Sequence, residues 1–165
     1  MRHAAVAVAL ALGAGCGVPP TDFGSPDAGA CVAYRVPPTQ DLSMPARSFA
    51  TDVMPIFTSR CDSCHGTTNA PSGNLFLGKT ASDAAAVYAN IVGMPSGEYA
   101  DMDFVTASDP TRSFLMHKLD GDQCQYDSQC GGGTCDLAMP MSGGALSPDQ
   151  RDAIREWIYQ GAAND

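Results

Sequence analysis

One stretch of the chain reads Phe49-Ala50-Thr51-Asp52-Val53-Met54-Pro55-Ile56-Phe57-Thr58-Ser59-Arg60-Cys61-Asp62-Ser63-Cys64-His65-Gly66. Its apolar side chains recur every three or four residues, which is the period of a helix face. Thr51 or Asp52 is the expected N-cap of that helix. Pro55 then falls near the first turn, where its missing N–H costs little. The pattern predicts a helix that runs into Cys61.

The predicted helix is followed by the pattern C-x-x-C-H, which here is Cys61-Asp62-Ser63-Cys64-His65. This pattern is the attachment signature of c-type haem. Two thiols separated by two residues at a helix end can each form a thioether with one vinyl group of a porphyrin, and the adjacent histidine is then held beneath the iron. The pattern predicts one covalent haem on Cys61 and Cys64, with His65 as the proximal ligand.

Three other interpretations of the motif stay open at this point. A thioredoxin-like redox dithiol normally follows a strand in a βαβ unit, and the sequence contains no sign of such a unit. A zinc site needs a second C-x-x-C or an H-x₃-H pair downstream, and none occurs at zinc-finger spacing. A chance occurrence is the third interpretation. The helix before the motif and the ligand candidates after it favour haem.

A low-spin electron-transfer haem needs a sixth ligand, usually a methionine sulfur or a second histidine. The downstream candidates are Met94, Met102, Met116, His117, Met139 and Met141. Met139 is favoured because it stands in a loop just before the last predicted helix, where Pro140 stiffens the backbone. Met141 is the second choice. The third is His117, which lies within a predicted helix.

Two further helices are predicted in the middle of the chain. The first covers residues 80–92, is capped by Ser82 and stops at Gly93. The second runs from the cap Asp109 to Leu119, with a proline in its first turn. No strand signal of comparable strength accompanies them.

The last helix carries the clearest signals. Ser147 is the expected N-cap, Pro148 the first helical residue and Gln150 the partner in a capping box. Gly161 marks its end. Its buried face is predicted to consist of Ile154, Trp157 and Ile158. Together the patterns predict an all-α domain with long loops.

The first sixteen residues are similar to a bacterial export signal. Residues 4–12 are apolar but too few to span a bilayer as a helix, which needs about twenty. The segment Leu12-Gly13-Ala14-Gly15-Cys16 is similar to a bacterial lipobox, although its leucine stands one step early. We expect a signal peptide at residues 1–15 and a lipid on Cys16, with ordinary cleavage and secretion as the alternative.

The expected organisation after the signal peptide has two parts. Residues 16–47 are rich in proline and glycine and are expected to form a tether. Residues 48–165 are expected to form the domain, with a cysteine-rich insert at residues 122–135. The protein is expected to be periplasmic, anchored by its lipid to the outer membrane, or secreted.

Export also determines how the cysteines are interpreted, because thiols oxidise outside the cytoplasm. Once Cys16, Cys61 and Cys64 are assigned, four of the seven cysteines remain. They are Cys31, Cys124, Cys130 and Cys135. Four cysteines predict two disulfides, with three possible pairings.

The formal net charge of −9 bears on possible partners. An acidic surface repels phosphate backbones, so nucleic acid is not expected as a partner. The charge suits docking to a redox protein with a basic patch, or it only keeps the domain soluble. Membrane contact is expected only through the lipid. No Ser-His-Asp set, glycine-rich phosphate loop or metal–carboxylate cluster suggests a hydrolase or a nucleotide-dependent enzyme.

The motifs together resemble the class I cytochrome c domain, in the single-haem form found in exported bacterial lipoproteins. The similarity covers residues 48–163. It rests on the C-x-x-C-H motif with its preceding helix, Asp109-Pro110, Met139-Pro140 and Trp157-Ile158. The resemblance implies a small helical domain around one covalent haem, with His65 and Met139 as axial ligands and the first and last helices crossing nearby. The insert at residues 122–135 departs from a minimal domain of this family.

The leading functional hypothesis is electron transfer between other redox proteins, without an enzymatic reaction. A haem enzyme or sensor with an open sixth position is an alternative, and it requires that Met139 does not bind the iron. A disulfide-stapled binding module without a redox role is another alternative, in which the C-x-x-C-H motif is accidental.

Overall fold

The computed structural model describes residues 31–69 and 71–165. This part of the chain contains five α-helices: α1 (Met54–Arg60), α2 (Asp62–His65), α3 (Ala84–Ile91), α4 (Phe114–Asp120) and α5 (Pro148–Tyr159). Between residues 31 and 165, Ala70 aside, there is no β-strand, and the isolated bridges pair Val92 with Val105 and Pro95 with Asp103. The predicted all-α class is therefore confirmed.

The predicted signal peptide and Cys16 lie outside the described residues. Within them, no helix combines the length and the apolar character that crossing a membrane requires.

The first helix begins earlier than the sequence predicts. A π-helical turn, Phe49–Val53, leads directly into α1. The N-cap is Ser48, whose hydroxyl accepts a hydrogen bond from the Thr51 N–H at 3.3 Å. Asp52 in turn accepts from the Ser48 N–H at 2.8 Å. The predicted cap at Thr51 or Asp52 is wrong. Ser48 caps the helix about one turn earlier, and Asp52 acts as its partner by accepting a hydrogen bond from the Ser48 N–H, as in a capping box.

The helix predicted over residues 80–92 also has a different cap. It starts as a 3₁₀ turn, Ala81–Asp83, which continues into α3. Thr80 and Asp83 form a reciprocal capping box, so the predicted cap at Ser82 is wrong.

The helix predicted from Asp109 is interrupted. Asp109 caps a 3₁₀ turn, Pro110–Arg112, by accepting from two backbone N–H groups. Ser113 is then extended, and its hydroxyl donates to the Asp109 carbonyl at 2.8 Å. This side-chain bond competes with the helical bonding of the backbone. The α-helix therefore starts only at Phe114, and it ends, as predicted, before Gly121, which has φ +77°.

The last helix matches its prediction. Ser147 caps α5 and forms the capping box with Gln150, and Pro148 is the first helical residue. The predicted buried face is confirmed, since Ile154, Trp157 and Ile158 are almost fully buried.

An aromatic cluster joins the two ends of the domain. The ring of Phe49 stacks on Trp157 of α5, with centroids 5.0 Å apart. Phe57 of α1 and Tyr88 of α3 meet the Phe49 ring edge-on, at 6.5 and 5.7 Å. Such ring pairs contribute about 0.5–1.5 kcal/mol each beyond the area they bury. The cluster fixes α1, and with it the cysteines that follow, against α5.

Two disulfides cross-link the described chain, as predicted, and the structure gives their pairing. Cys31 is bonded to Cys124 and Cys130 to Cys135. The first joins the segment before the helices to the insert at residues 122–135. The second closes a small loop within that insert.

The segment 31–47 lies along the helical domain. The ring of Tyr34 covers the guanidinium of Arg155, whose central carbon is 4.4 Å from the ring centroid. Gln160 donates from its side-chain amide to the carbonyls of Leu42 and Pro45. Together with the disulfide of Cys31, these contacts attach this part of the predicted tether to the domain.

Candidate functional site

A cavity of about 420 Å³ opens between α2, α4 and the chain that precedes α5. Its size suits an organic cofactor. Much of its wall is apolar and includes Phe57, Leu75, Leu77, Phe104, Leu115 and Leu119. Five sulfur or imidazole side chains predicted to be functional line the same cavity: Cys61, Cys64, His65, Met139 and Met141.

The two cysteines stand on one helical turn, which we call the cysteine turn (residues 61–66). The N–H groups of Cys64 and His65 both donate to the Cys61 carbonyl, at 3.3 and 2.8 Å. Neither thiol takes part in a disulfide. Burial raises the pKa of Cys61 to about 11. Cys61 is therefore a protonated thiol at neutral pH. Cys64, in contrast to the partly buried Cys61, is exposed to solvent where it lines the cavity.

His65 is held from both its ring and its backbone. Its Nδ1 lies 2.9 Å from the Leu75 carbonyl oxygen, and its own carbonyl accepts from the Leu77 N–H at 2.8 Å. Because a carbonyl only accepts, the neutral tautomer that fits this contact carries its proton on Nδ1 and its lone pair on Nε2. A carbonyl that fixes the tautomer and the ring orientation in this way is typical of metal-binding histidines.

Met139 and Met141 reach the cavity from a segment that we call the methionine loop (residues 130–142). Met139 is half-buried, packs against the main hydrophobic core, and donates its N–H to the Lys118 carbonyl at 2.8 Å. Met141 is 59% exposed. The structure thus brings both predicted thioethers to the cavity that His65 lines, and only Met139 is packed in place.

The other ligand candidates lie elsewhere. His117 uses both ring nitrogens: Nδ1 lies 2.7 Å from Asp122 and Nε2 lies 3.0 Å from the Thr111 carbonyl. It therefore has no lone pair to offer without breaking one of these bonds. The other methionines considered as sixth ligands do not line the cavity: Met94, Met102 and Met116.

Two charged side chains connect parts of the cavity wall through contacts that no sequence motif indicates. Arg60, next to Cys61, donates from Nη2 to the carbonyls of residues 143–145, at 2.9 to 3.4 Å. Lys118 donates from Nζ to Glu98 at 2.8 Å and to the Cys135 carbonyl at 2.7 Å. Backbone carbonyls carry no residue-type signal, so only the folded chain reveals these partners.

Two findings complete the description of the site. Across residues 31–69 and 71–165, no three or more His, Cys, Asp or Glu side chains form a group that could hold a metal ion by themselves. No protein-family model matches the chain, and no curated protein or solved structure matches it.

Proposed function

We propose that this protein is an exported electron carrier of the class I cytochrome c type, with one covalent haem in the cavity. One observation carries the proposal. A single, largely apolar cavity combines two unpaired thiols one turn apart, a histidine with a free Nε2, and a half-buried methionine thioether. These are the groups that covalent attachment and axial ligation of a haem require.

Cys61 and Cys64 would hold the cofactor. Each S–H would add across one vinyl double bond, with the sulfur on one carbon and the hydrogen on the other, and the resulting thioether would hold the ring. No oxidant is needed for this addition. The thiols are available because neither is oxidised to a disulfide, and the cysteine turn presents both at the cavity that would receive the ring.

His65 and Met139 would be the axial ligands. A bound haem supplies an iron that exchanges one electron between its ferrous and ferric states. His65 would keep its Nε2 directed at the metal because the Leu75 carbonyl holds Nδ1. Met139 would supply the second ligand from the same cavity, which would leave no position for a substrate. A filled sixth position supports an electron carrier over a haem enzyme or sensor.

The properties of the thiols speak against the other interpretations of the motif. The nucleophilic cysteine of a redox dithiol has a lowered pKa, whereas burial raises the pKa of Cys61 to about 11. A structural zinc ion needs four ligands from the protein. Within the described residues Cys61 and Cys64 are not joined by further ligands in such a group.

The partners that suit this carrier are other redox proteins. The chain has 18 acidic and 9 basic side chains, which gives the net charge of −9. Many basic groups are already engaged: Arg47 pairs with Glu156, Lys118 with Glu98, and Arg155 with Asp120. The excess of unpaired carboxylates favours a partner with a basic patch. A lipid on Cys16 would keep the carrier at a membrane surface outside the cytoplasm.

Covalent attachment is tested on protein exported from a host with a cytochrome c maturation system. After denaturing electrophoresis, a haem-peroxidase stain should mark the wild-type band. The variant Cys61→Ala/Cys64→Ala should lose the stain. The matched control Cys130→Ala/Cys135→Ala removes the same number of sulfurs from another site and should keep it. A folded, colourless wild-type protein from that host would contradict the proposal.

A further inference from the structure

We propose that the ion pair between the buried Lys118 and the partly exposed Glu98 is a positioning device that sets Met139 on the cavity wall. The inference rests on the proposed function, because it concerns how the sixth ligand is held. Lys118 and Glu98 would not contact the metal themselves. They would act by positioning the Met139 side chain.

Lys118 holds both ends of the chain segment that leads to Met139. Its Nζ donates to the Cys135 carbonyl at 2.7 Å, and its own carbonyl accepts from the Met139 N–H at 2.8 Å. The residue belongs to α4 and is only 6% exposed. One residue of a packed helix therefore fixes the direction of the segment 135–139 relative to the cavity.

Glu98 completes the attachment from the other side. Its carboxylate accepts from Lys118 Nζ at 2.8 Å, and its backbone carbonyl accepts from the Gly131 N–H at 2.9 Å. The Cys130–Cys135 disulfide links the two ends of the intervening chain. The pair thus contacts the methionine loop at three points, Gly131, Cys135 and Met139.

Few other contacts hold the segment around Met139: the Gln123 side-chain amide donates to the Asp136 carbonyl at 3.0 Å, and the Met139 side chain packs against the core. Leu137 and Met141, two residues before and after Met139, are 62% and 59% exposed. Residues 131–133 are all glycine, and glycine restricts the backbone less than any other residue. Without the hydrogen bond from the Lys118 side chain to Cys135, the segment between Cys135 and Pro140 would be fixed only at Met139 and would sample several orientations of the Met139 side chain.

An ion pair is suited to this task for a physical reason. A buried ammonium is costly unless it is paired and hydrogen-bonded, and a pair of this kind adds little net stability compared with apolar packing. Its hydrogen bonds, however, have fixed directions, which apolar contacts lack. The pair therefore gives the loop a defined geometry, which a metal ligand requires.

The test uses the mature haem-loaded protein and its ferric spectrum. Ligation by a methionine sulfur gives a weak near-infrared charge-transfer band. Lys118→Leu keeps an apolar side chain, removes the three donors and adds no sulfur to the cavity wall, so the band should be lost, carbon monoxide should bind to the ferrous iron, and the reduction potential should fall. Lys118→Arg keeps a donor for both partners and should retain the band.

Arg47→Met is the matched control for loss of an ion pair. It removes the contact of 2.7 Å with Glu156, on α5, and Arg47 makes no hydrogen bond with the methionine loop. This variant should keep the band even if it lowers the melting temperature. Should Lys118→Leu fail to accumulate, Glu98→Gln is measured instead, and it should weaken the band.

The outcomes separate the inference from the proposed function. A full band in Lys118→Leu, or in Glu98→Gln where the first variant fails to accumulate, overturns the inference and leaves haem binding intact. A lowered potential with an intact band also overturns it, because Lys118 would then act on the charge of the cofactor and not on Met139. A wild-type protein that carries covalent haem but lacks the band overturns it too. Absence of covalent haem from the wild type would defeat the proposed function itself.

Discussion

The cysteine turn and the methionine loop face the same cavity but are built in different ways. The backbone of the cysteine turn is closed by hydrogen bonds within five residues of sequence, such as the Gly66 N–H donating to the Asp62 carbonyl at 2.8 Å, and His65 adds contacts with the nearby Leu75 and Leu77. The methionine loop is held by partners far away in sequence, above all Glu98 and Lys118. Two walls of one site can therefore depend on local and on tertiary interactions, and they should respond differently to mutation.

The largest effect is expected from the disulfides of the insert. The cost of losing a disulfide rises with the length of chain that it closes. Cys31 and Cys124 are 93 residues apart, and Cys130 and Cys135 only 5. Replacing both members by serine should lower the free energy of unfolding by about 4–5 kcal/mol for the first pair and about 2 kcal/mol for the second.

Urea unfolding of each double variant, followed by tryptophan fluorescence, measures these losses. Haem attachment through the cysteine turn should persist in both variants, whereas the near-infrared band should weaken when Cys130 and Cys135 are replaced. Equal losses of stability, or loss of haem from the second variant, would contradict the division between the two walls.

The next effect in size concerns the cysteine turn itself. A Cβ on Gly66 would collide with the Asp62 carbonyl oxygen, which belongs to rigid backbone. Gly66→Ala should therefore destabilise the protein by about 1–3 kcal/mol, as overpacking typically does, and should lower the yield of haem-loaded protein.

Gly131→Ala is the matched control in the methionine loop. A Cβ there meets no atom within 4 Å, and Gly131 does not have a positive φ. Its unfolding free energy should change by less than about 0.5 kcal/mol, as for surface positions in general. If the two alanines had the same effect in urea unfolding, the cysteine turn would not be the more tightly constrained region.

The smallest effect concerns how the free energy of unfolding depends on pH through His117 and Asp122, at the start of the insert. Burial lowers the pKa of His117, but the hydrogen bond to Asp122 and the charge of Asp122 outweigh it, so the pKa lies above its usual value. A histidine with a raised pKa in the folded state stabilises the protein fully below its unfolded pKa of about 6.5 and loses that contribution as the pH rises through the folded value. The free energy of unfolding should thus decrease over this range.

His117→Gln should remove this dependence and cost about 1 kcal/mol at low pH, the typical net worth of one hydrogen bond. Urea unfolding of both proteins at a series of pH values gives the comparison. A wild-type protein whose free energy of unfolding increases over this range would contradict the raised pKa of His117.

What the sequence predicts follows the same division between local and tertiary interactions. Helix α5 was predicted with its cap, its first residue and its buried face, because Ser147, Pro148 and Gln150 act within one turn. The caps at Ser48 and Thr80 were missed by two to four residues, since several hydroxyl and carboxylate side chains near each helix start compete for the same N–H groups. The two disulfides were predicted from the number of cysteines, but the pairing required the fold.

The site shows the limit of sequence reasoning more sharply. The cysteine turn has a residue pattern that can be recognised because its chemistry needs fixed spacing. The Leu75 carbonyl that orients His65 has no such pattern, because any residue supplies a carbonyl. Lys118 and Glu98 are 20 residues apart, and a lysine in a helix normally indicates an exposed face. Its burial arises only when the methionine loop folds over α4.

We infer that Met139, whose side chain packs against the core, and not the exposed Met141, would complete the site with His65. The direct measurement is the near-infrared absorption of the ferric haem-loaded protein in Met139→Ala and Met141→Ala. Met139→Ala should lose the sulfur-to-iron band and bind carbon monoxide in the ferrous state. Met141→Ala should keep the wild-type spectrum. Loss of the band in Met141→Ala alone, or a wild type that already binds carbon monoxide readily, would contradict this inference.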